Sequence, residues 1–421
     1  MKKIFTFCLL ALSHLTIALQ GQPCTNDYTQ KIYNVYKESN ITYGSDTNFN
    51  ASIQTLKLNI WKPLADNNTL RPLIILVHGG GFVSGQKEDF DTLASWYAAR
   101  GYVAATIQYR LLFYPPLLLT PPYAYDSTEV LRAGYRSIQD LRGAIRFMKN
   151  RATTDSSDIN HVYVLGGSAG AIAALGAAYI DQNSELPFGV DSIAAVVHGP
   201  SQYPRPHLGP LQGKLNLGNS DASFHGVVSY MGAMLDTAHL ESSLDMPLFL
   251  YHQTGDPIVG CNFQKGLHGA PLGLGTNYPH LYGSCLITPR AQNLSFSSDQ
   301  LYSYIHNGNN HSVHNQVLVD SLTALWLSKL ICPIQTSVEQ NSLFESDVIV
   351  YPNPSNGQFR IKSSKDKIVS VDFYNTQSEL VKRNFLKQSI DETQFDLTDK
   401  GIYFMVIQTE KQHKVIKIVV L

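Results

Sequence analysis

Val162-Tyr163-Val164-Leu165-Gly166-Gly167-Ser168-Ala169-Gly170 decides how this chain is read. An apolar run of strand length meets a Gly-rich turn. Ala171-Ile172-Ala173-Ala174-Leu175-Gly176-Ala177-Ala178 follows, small and helix-forming. The turn holds Gly166-x-Ser168-x-Gly170, the spacing of a nucleophile elbow. A serine there projects its Oγ from a sharp strand-to-helix turn. Its neighbours two residues either side must lack bulk, because strand and helix approach closely. An ordinary Gly-Ser turn has the same five residues; the strand before and the helix after set this one apart.

Outward from the elbow, strands and helices alternate. Leu73-Ile74-Ile75-Leu76-Val77 is a continuous apolar run, as in a central parallel strand covered on both faces. It ends in His78-Gly79-Gly80-Gly81-Phe82. Leu56 to Trp61 alternates at period two, the pattern of a half-buried edge strand. A helix is expected over about 89–100, closed by Gly101, and a buried strand over 102–107. A second helix starts near Ser127 and runs through Met148, with Gly134 a candidate interruption. Further strands are expected at 193–197, 247–251 and 301–305, and a last helix at 315–330. Residues 200–245 read as loops and short helices; 112–125 and 261–297 read as irregular. This alternation predicts an α/β, doubly wound, mostly parallel sheet. Ligand sites in such sheets lie at the C-terminal strand ends.

At 421 residues two folded units are expected, and 44% apolar residues suffice for a sizeable core. A net charge of −1 with no basic run argues against nucleic acid and against an electrostatic membrane footprint. Lys2-Lys3, the apolar run Ile4 to Leu12 and the small and polar residues after it read as a signal peptide over 1–20. No other stretch is long and apolar enough to span a bilayer. Cys8 leaves with that peptide. Cys24, Cys261, Cys285 and Cys332 remain, and in an exported chain they are read as disulfides, Cys261–Cys285 and Cys24–Cys332. No Cys-x-x-Cys pair suggests zinc, and no metal or other cofactor is called for. The reading divides the chain into a catalytic domain at 24–332, a polar linker at 333–346 and short alternating strands at 347–421, a small all-β sandwich.

Residues 55–330, through His78-Gly-Gly-Gly-Phe82 and Gly166-Gly-Ser-Ala-Gly170, resemble the α/β-hydrolase superfamily and within it carboxylesterases and lipases. The resemblance implies Ser168 as nucleophile, and an oxyanion hole from the N–H groups of Gly80, Gly81 and Ala169. It implies Asp256 as the acid, in Gly255-Asp256-Pro257-Ile258-Val259. The base is His311 in Gly308-Asn-Asn-His311, with His314 the alternative. The order Ser…Asp…His is that of the fold. His198 and His252, on or beside apolar strands, read as packed or pocket-wall residues. The segments 112–125 and 261–297 are candidate walls of the site. The tail resembles the type A C-terminal sorting domain of the type IX secretion system. It does so through Tyr351-Pro-Asn-Pro354, Gly357, Asp396-Leu397 and Gly401-Ile-Tyr403, with Ser378 where a Gly is usual. That implies a bearer among the Bacteroidota, export through the periplasm by the type IX machinery, and a secreted or surface-attached product.

The expectation is a secreted serine carboxylesterase acting through an acyl-enzyme. Its substrate is a small-molecule or polysaccharide-linked ester, acylated plant polysaccharide among them. The alternatives are a prolyl-oligopeptidase-like serine peptidase, against which the His-Gly-Gly-Gly motif argues, and a non-catalytic binding protein on the same fold.

Overall fold

The structure is a computed structural model. It describes residues 28–64, 68–112, 124, 126–198, 201–218, 220–332, 348–364, 366–375, 380–410 and 413–421. The signal peptide, Cys24, the linker, Ser378 and most of 112–125 lie outside these. Two compact units divide between Ile334 and Gln335.

The first unit is built on eight strands. They are β1 (Val35–Thr47), β2 (Ile53–Pro63), β3 (Arg71–Val77), β4 (Val103–Ile107), β5 (Ser157–Gly167), β6 (Val227–Tyr230), β7 (Leu248–Gln253) and β8 (Leu301–His306). Their order across the sheet is β1-β2-β4-β3-β5-β6-β7-β8. β2 is antiparallel to both neighbours and every other pair is parallel. This is the α/β-hydrolase arrangement. The longer helices among the described residues are α1 (Asp91–Ala98), α2 (Ser127–Asn150), α3 (Ala169–Tyr179), α4 (Ser284–Asn293) and α5 (Gln316–Ile331).

The apolar runs are continuous because each strand serves two cores. Leu73, Ile75 and Val77 of β3 face one core with α2, α3 and α4. Ile74 and Leu76, pointing the other way, join α1 and α5. Val162 and Val164 of β5 divide from Tyr163 and Leu165 in the same manner.

Four expectations need correction. The stretch 56–61 is not an edge strand: β1 pairs outside β2 and is itself the edge. Gly134 does not interrupt α2, which runs unbroken for 24 residues. The cost of one glycine, about 1 kcal/mol, is offset by a helix buried along most of its length. Residues 193–197 do not enter the large sheet; Ile193–His198 pairs antiparallel with Ser201–Arg205. The sheet takes β6 instead, from a stretch read as loop. Four residues between Gly226 and Met231-Gly232 are too few to show a period. The 261–297 stretch is also more regular than expected. It holds α4, with Pro289 inside it, and two short strands, Phe263–Lys265 and His280–Gly283. His280–Gly283 pairs with Phe263–Lys265 on one side and Ala233–Met234 on the other, in a small separate sheet.

Asp320 on α5 is 4% exposed, between Tyr230 and Gln316, whose side chains donate to its Oδ1 at 3.0 and 2.8 Å. Burial pushes its carboxyl up to about 6, against the pull of those hydrogen bonds and of Arg100. From about pH 4 to about pH 6 the folded chain therefore holds a proton the unfolded chain has released, and stability falls as pH rises. Asp320→Asn removes this pH dependence and keeps the acceptor. It is expected to raise the melting temperature near pH 7.5, by an equivalent of roughly 2–3 kcal/mol at most, and to change little below about pH 4. Melts that rise equally at both pH values would point to packing rather than charge.

The strands of the second unit pair antiparallel, in one sheet of three strands and one of four. Phe359 and Ile361 from the first meet Val371, Phe373, Met405 and Ile407 from the second in one buried core. That makes a small β-sandwich. Among the described residues no helix is long and apolar enough to cross a membrane.

Candidate active site

β5 passes into α3 through Ser168, whose backbone sits at φ 54, ψ −123, a region that favours glycine. Three hydrogen bonds fix it there. Its N–H donates to Tyr230 O at 2.8 Å, and its carbonyl accepts from Ala171 and Ile172 N–H at 2.9 and 3.0 Å. The flanking glycines follow from contact. A Cβ at Gly166 would lie 2.3 Å from Gly170 O, and one at Gly170 would lie 2.1 Å from Val77 O.

The other candidate residues arrive at neighbouring strand ends. Asp256 follows β7, almost fully buried. Its Oδ1 accepts the N–H groups of Ile258 and Val259 at 2.8 and 3.0 Å. Its Oδ2 lies 2.7 Å from Nδ1 of His311, and Nε2 of His311 lies 2.7 Å from Ser168 Oγ. Burial alone would raise the Asp256 carboxyl. The hydrogen bonds from His252 and His311, the His311 charge and the Ile258 N–H outweigh it and hold the group at about 2. Asp256 is thus an acceptor at neutral pH. Facing it, Nδ1 of His311 carries the proton, which leaves Nε2 to accept from the Ser168 hydroxyl.

His314 is turned elsewhere. Its Nδ1 is 3.0 Å from Tyr251 OH, and its ring stacks on His306 with centroids 3.7 Å apart. His252 is buried beneath Asp256. Its Nε2 donates to Val259 O at 2.7 Å and its Nδ1 accepts from Ser284 Oγ at 2.9 Å.

Gln253, 2% exposed, was not singled out in the sequence. Its Oε1 accepts Asn310 N–H at 3.1 Å and its Nε2 donates to Ser312 O at 2.7 Å. It therefore grips the backbone on both sides of His311. Its place at the C-terminal end of β7, three residues before Asp256, is the signal that pointed to it.

After β3 the glycine loop turns back on itself, with φ of +107, +60 and +63 at Gly80, Gly81 and Phe82. Gly79 passes close enough that a Cβ there would lie 3.1 Å from Ser168 Cβ. The loop's carbonyls are held outward. Tyr109 OH lies 3.0 and 3.3 Å from those of His78 and Gly79. Val83 N–H and Ser84 N–H donate to that of Gly80, and Tyr278 OH to that of Gly81 at 2.6 Å. The N–H groups of Gly80, Gly81 and Ala169 find no acceptor among the described residues. Three unused donors beside a hydroxyl suit an oxygen that gains negative charge.

Beside Ser168 opens a cavity lined mostly by apolar side chains, those of α2 and α3 among them. Part of its wall comes from the segment spanned by a disulfide between Cys261 and Cys285. Cys332 is also disulfide-bonded. Among the described residues no three His, Cys, Asp or Glu side chains gather as metal ligands would.

Comparison with known proteins bears on both units. Neuroligin-like protein glit-1 of Caenorhabditis elegans is 34% identical over 118 residues, 28% of this chain and 15% of that protein. Carboxylesterase 3 of Pongo abelii is 34% identical over 130 residues, 30% of this chain and 21% of that one. The chain spans less than a quarter of the length of the curated relatives it matches. The solved structure of Thermogutta terrifontis esterase 2 phosphoramylated by tabun aligns over 72% of this chain and 96% of that one, at 15% identity and a TM-score of 0.44. Residues 22–185 match the Carboxylesterase family and residues 349–421 match the Secretion system C-terminal sorting domain. Residues 22–185 are thus similar to the Carboxylesterase family, and residues 349–421 to a secretion-system sorting domain.

Proposed function

We propose that the protein is an exported serine esterase. One observation carries this reading: Ser168 Oγ, His311 and Asp256 stand in a chain of two 2.7 Å contacts, beside the unused N–H groups of Gly80, Gly81 and Ala169. Ser168 Oγ attacks the ester carbonyl as His311 Nε2 takes its proton. The new Oγ–C bond places the negative charge on the carbonyl oxygen, where the three N–H groups meet it. Each such donor contributes about 3–4 kcal/mol to the transition state. Collapse breaks the bond to the leaving alkoxide, which takes the proton from His311. Water then repeats the sequence on the acyl-enzyme and frees the acid. Asp256 stays ionised, holding the His311 ring and stabilising its charged form.

The sorting domain supports export by the type IX machinery to the medium or the cell surface. An acylated plant polysaccharide as carrier rests on that export alone, so a small-molecule ester is the first substrate to try. The purified protein should cleave p-nitrophenyl acetate and leave a prolyl peptide amide intact. The reverse pattern makes it a peptidase, and inertness toward both makes it a binding protein.

Gln253 is proposed to position His311. Gln253→Ala is expected to lower kcat on that ester by roughly 100-fold with a small change in KM, since a misplacement near 1 Å costs about that much. A variant with unchanged kcat and only a lower melting temperature would make its role purely structural.

A further inference from the structure

The loop after β3 is strained as well as fixed. Gly80, Gly81 and Phe82 all sit at positive φ, and Phe82, at +63, carries a Cβ that disfavours it. A planar trans peptide points its carbonyl and its N–H opposite ways. Whatever holds a carbonyl outward therefore aims the N–H of the same peptide inward. Gly79 O, held by His78 Nδ1 at 2.8 Å and by Tyr109 OH, aims the Gly80 N–H in this way. Gly80 O, held by Val83 and Ser84 N–H, aims the Gly81 N–H.

The Gly81–Phe82 peptide is held from farther off. Among the described residues its carbonyl has one partner, Tyr278 OH at 2.6 Å, 197 positions along the chain. Turning this peptide over would change chiefly ψ of Gly81 and φ of Phe82. It would carry Phe82 to φ of about −120, ordinary extended backbone. Glycine accepts either state. The local backbone thus favours the turned-over form, and the Tyr278 hydrogen bond opposes it. Tyr278 is itself well anchored. Its ring is 6% exposed and lies over Gly266, where an added Cβ would come 3.2 Å from Cδ1. On one side of it Asn277 Nδ2 donates to Ala124 O at 2.8 Å. On the other, Gly266 N–H donates to Pro279 O at 3.0 Å. The disulfide Cys261–Cys285 closes the segment that carries Gly266 and residues 277–279.

Resting on the esterase reading, we infer that Tyr278 is a positioning residue for the oxyanion hole. It holds the Gly81–Phe82 peptide in its strained form, so that the Gly81 N–H stays aimed at the acyl oxygen. The disulfide-closed segment thereby serves the chemistry as well as the cavity wall. Donors of this kind help because they are aimed before charge develops. Loosening them weakens the hold on the transition state and leaves the bound ester little changed, so the loss falls on kcat.

The test is Tyr278→Phe, which deletes one oxygen and keeps the buried ring. On p-nitrophenyl acetate it should lower kcat about 30-fold with KM within about threefold, less than the roughly 100-fold or more lost with a whole oxyanion donor. Trifluoroacetophenone is the second probe. Ser168 Oγ adds to its ketone carbon, His311 takes the hydroxyl proton, and the ketone oxygen takes the negative charge the loop faces. Its Ki should also rise about 30-fold, as befits a mimic of the transition state. Tyr282→Phe, in the same segment with its ring packed on Phe263, should alter neither constant. Circular dichroism at the assay temperature confirms folding in each variant. Natural kcat in Tyr278→Phe overturns the inference and leaves the esterase reading standing. A fall in kcat with Ki unchanged, or a fall that Tyr282→Phe matches, also overturns it. A natural chain inert toward the ester removes both readings together.

Discussion

Replacing Ser168 by alanine is expected to lower kcat on p-nitrophenyl acetate roughly a million-fold, the scale seen when a serine nucleophile is removed. No other hydroxyl lies within hydrogen-bond reach of His311 among the described residues, so no neighbour substitutes. His311→Ala should cost about as much, because nucleophile and base act as one unit. His314→Ala is the informative contrast. Its ring is occupied by Tyr251 and His306, and its loss should cost less than about tenfold. Initial rates on the three variants, with circular dichroism to confirm folding, make the comparison. Near-natural activity in Ser168→Ala would discard the acyl-enzyme; loss in His314→Ala with activity kept in His311→Ala would exchange the two histidines.

Gly170→Ala is expected to be among the most damaging single methyls in the first unit. The added Cβ would stand 2.1 Å from Val77 O and 2.5 Å from His78 O. Both are backbone atoms at the end of a central strand, so neither can swing aside as a side-chain tip can. Relief requires α3 to lift from β3, which opens the core at Ala173 and Ala174. Overpacking of this kind costs more than about 4 kcal/mol, and a fall of about 10 °C or more in melting temperature is expected. Gly176→Ala is the milder control, since its contact is the flexible tip of Ile138. Equal melts for the two variants would contradict this account.

What could be read from the chain beforehand was decided by how locally each feature is determined. Residues 73–77 of β3 and 162–165 of β5 are apolar at every step because both faces are covered, so composition alone revealed them. β6 escaped because four residues cannot show a period. Residues 193–197 misled for a related reason: Ile-Ala-Ala-Val-Val suits any strand, and only the hairpin with 201–205 decides which sheet takes it. β2 alternates as an edge strand does, and nothing within it says that β1 lies outside. At the site, Ser168 and His311 stand 143 positions apart, and a strand-end position could be read for each. Ring direction could not. It depends on Tyr251, His306 and Gln253, which are brought to the histidines by the sheet.

The backbone at Ser168 carries one more consequence. A residue held at φ 54, ψ −123 lies in territory open to glycine and costly to serine, by about 1–3 kcal/mol. Whole domains of this kind are stable by only about 5–15 kcal/mol. A lineage selected for robustness alone would drift to glycine at position 168 and gain a sturdier, inert molecule. On the proposed reading, the serine there marks a standing trade-off, in which a measurable fraction of the fold's resilience is given up for chemistry.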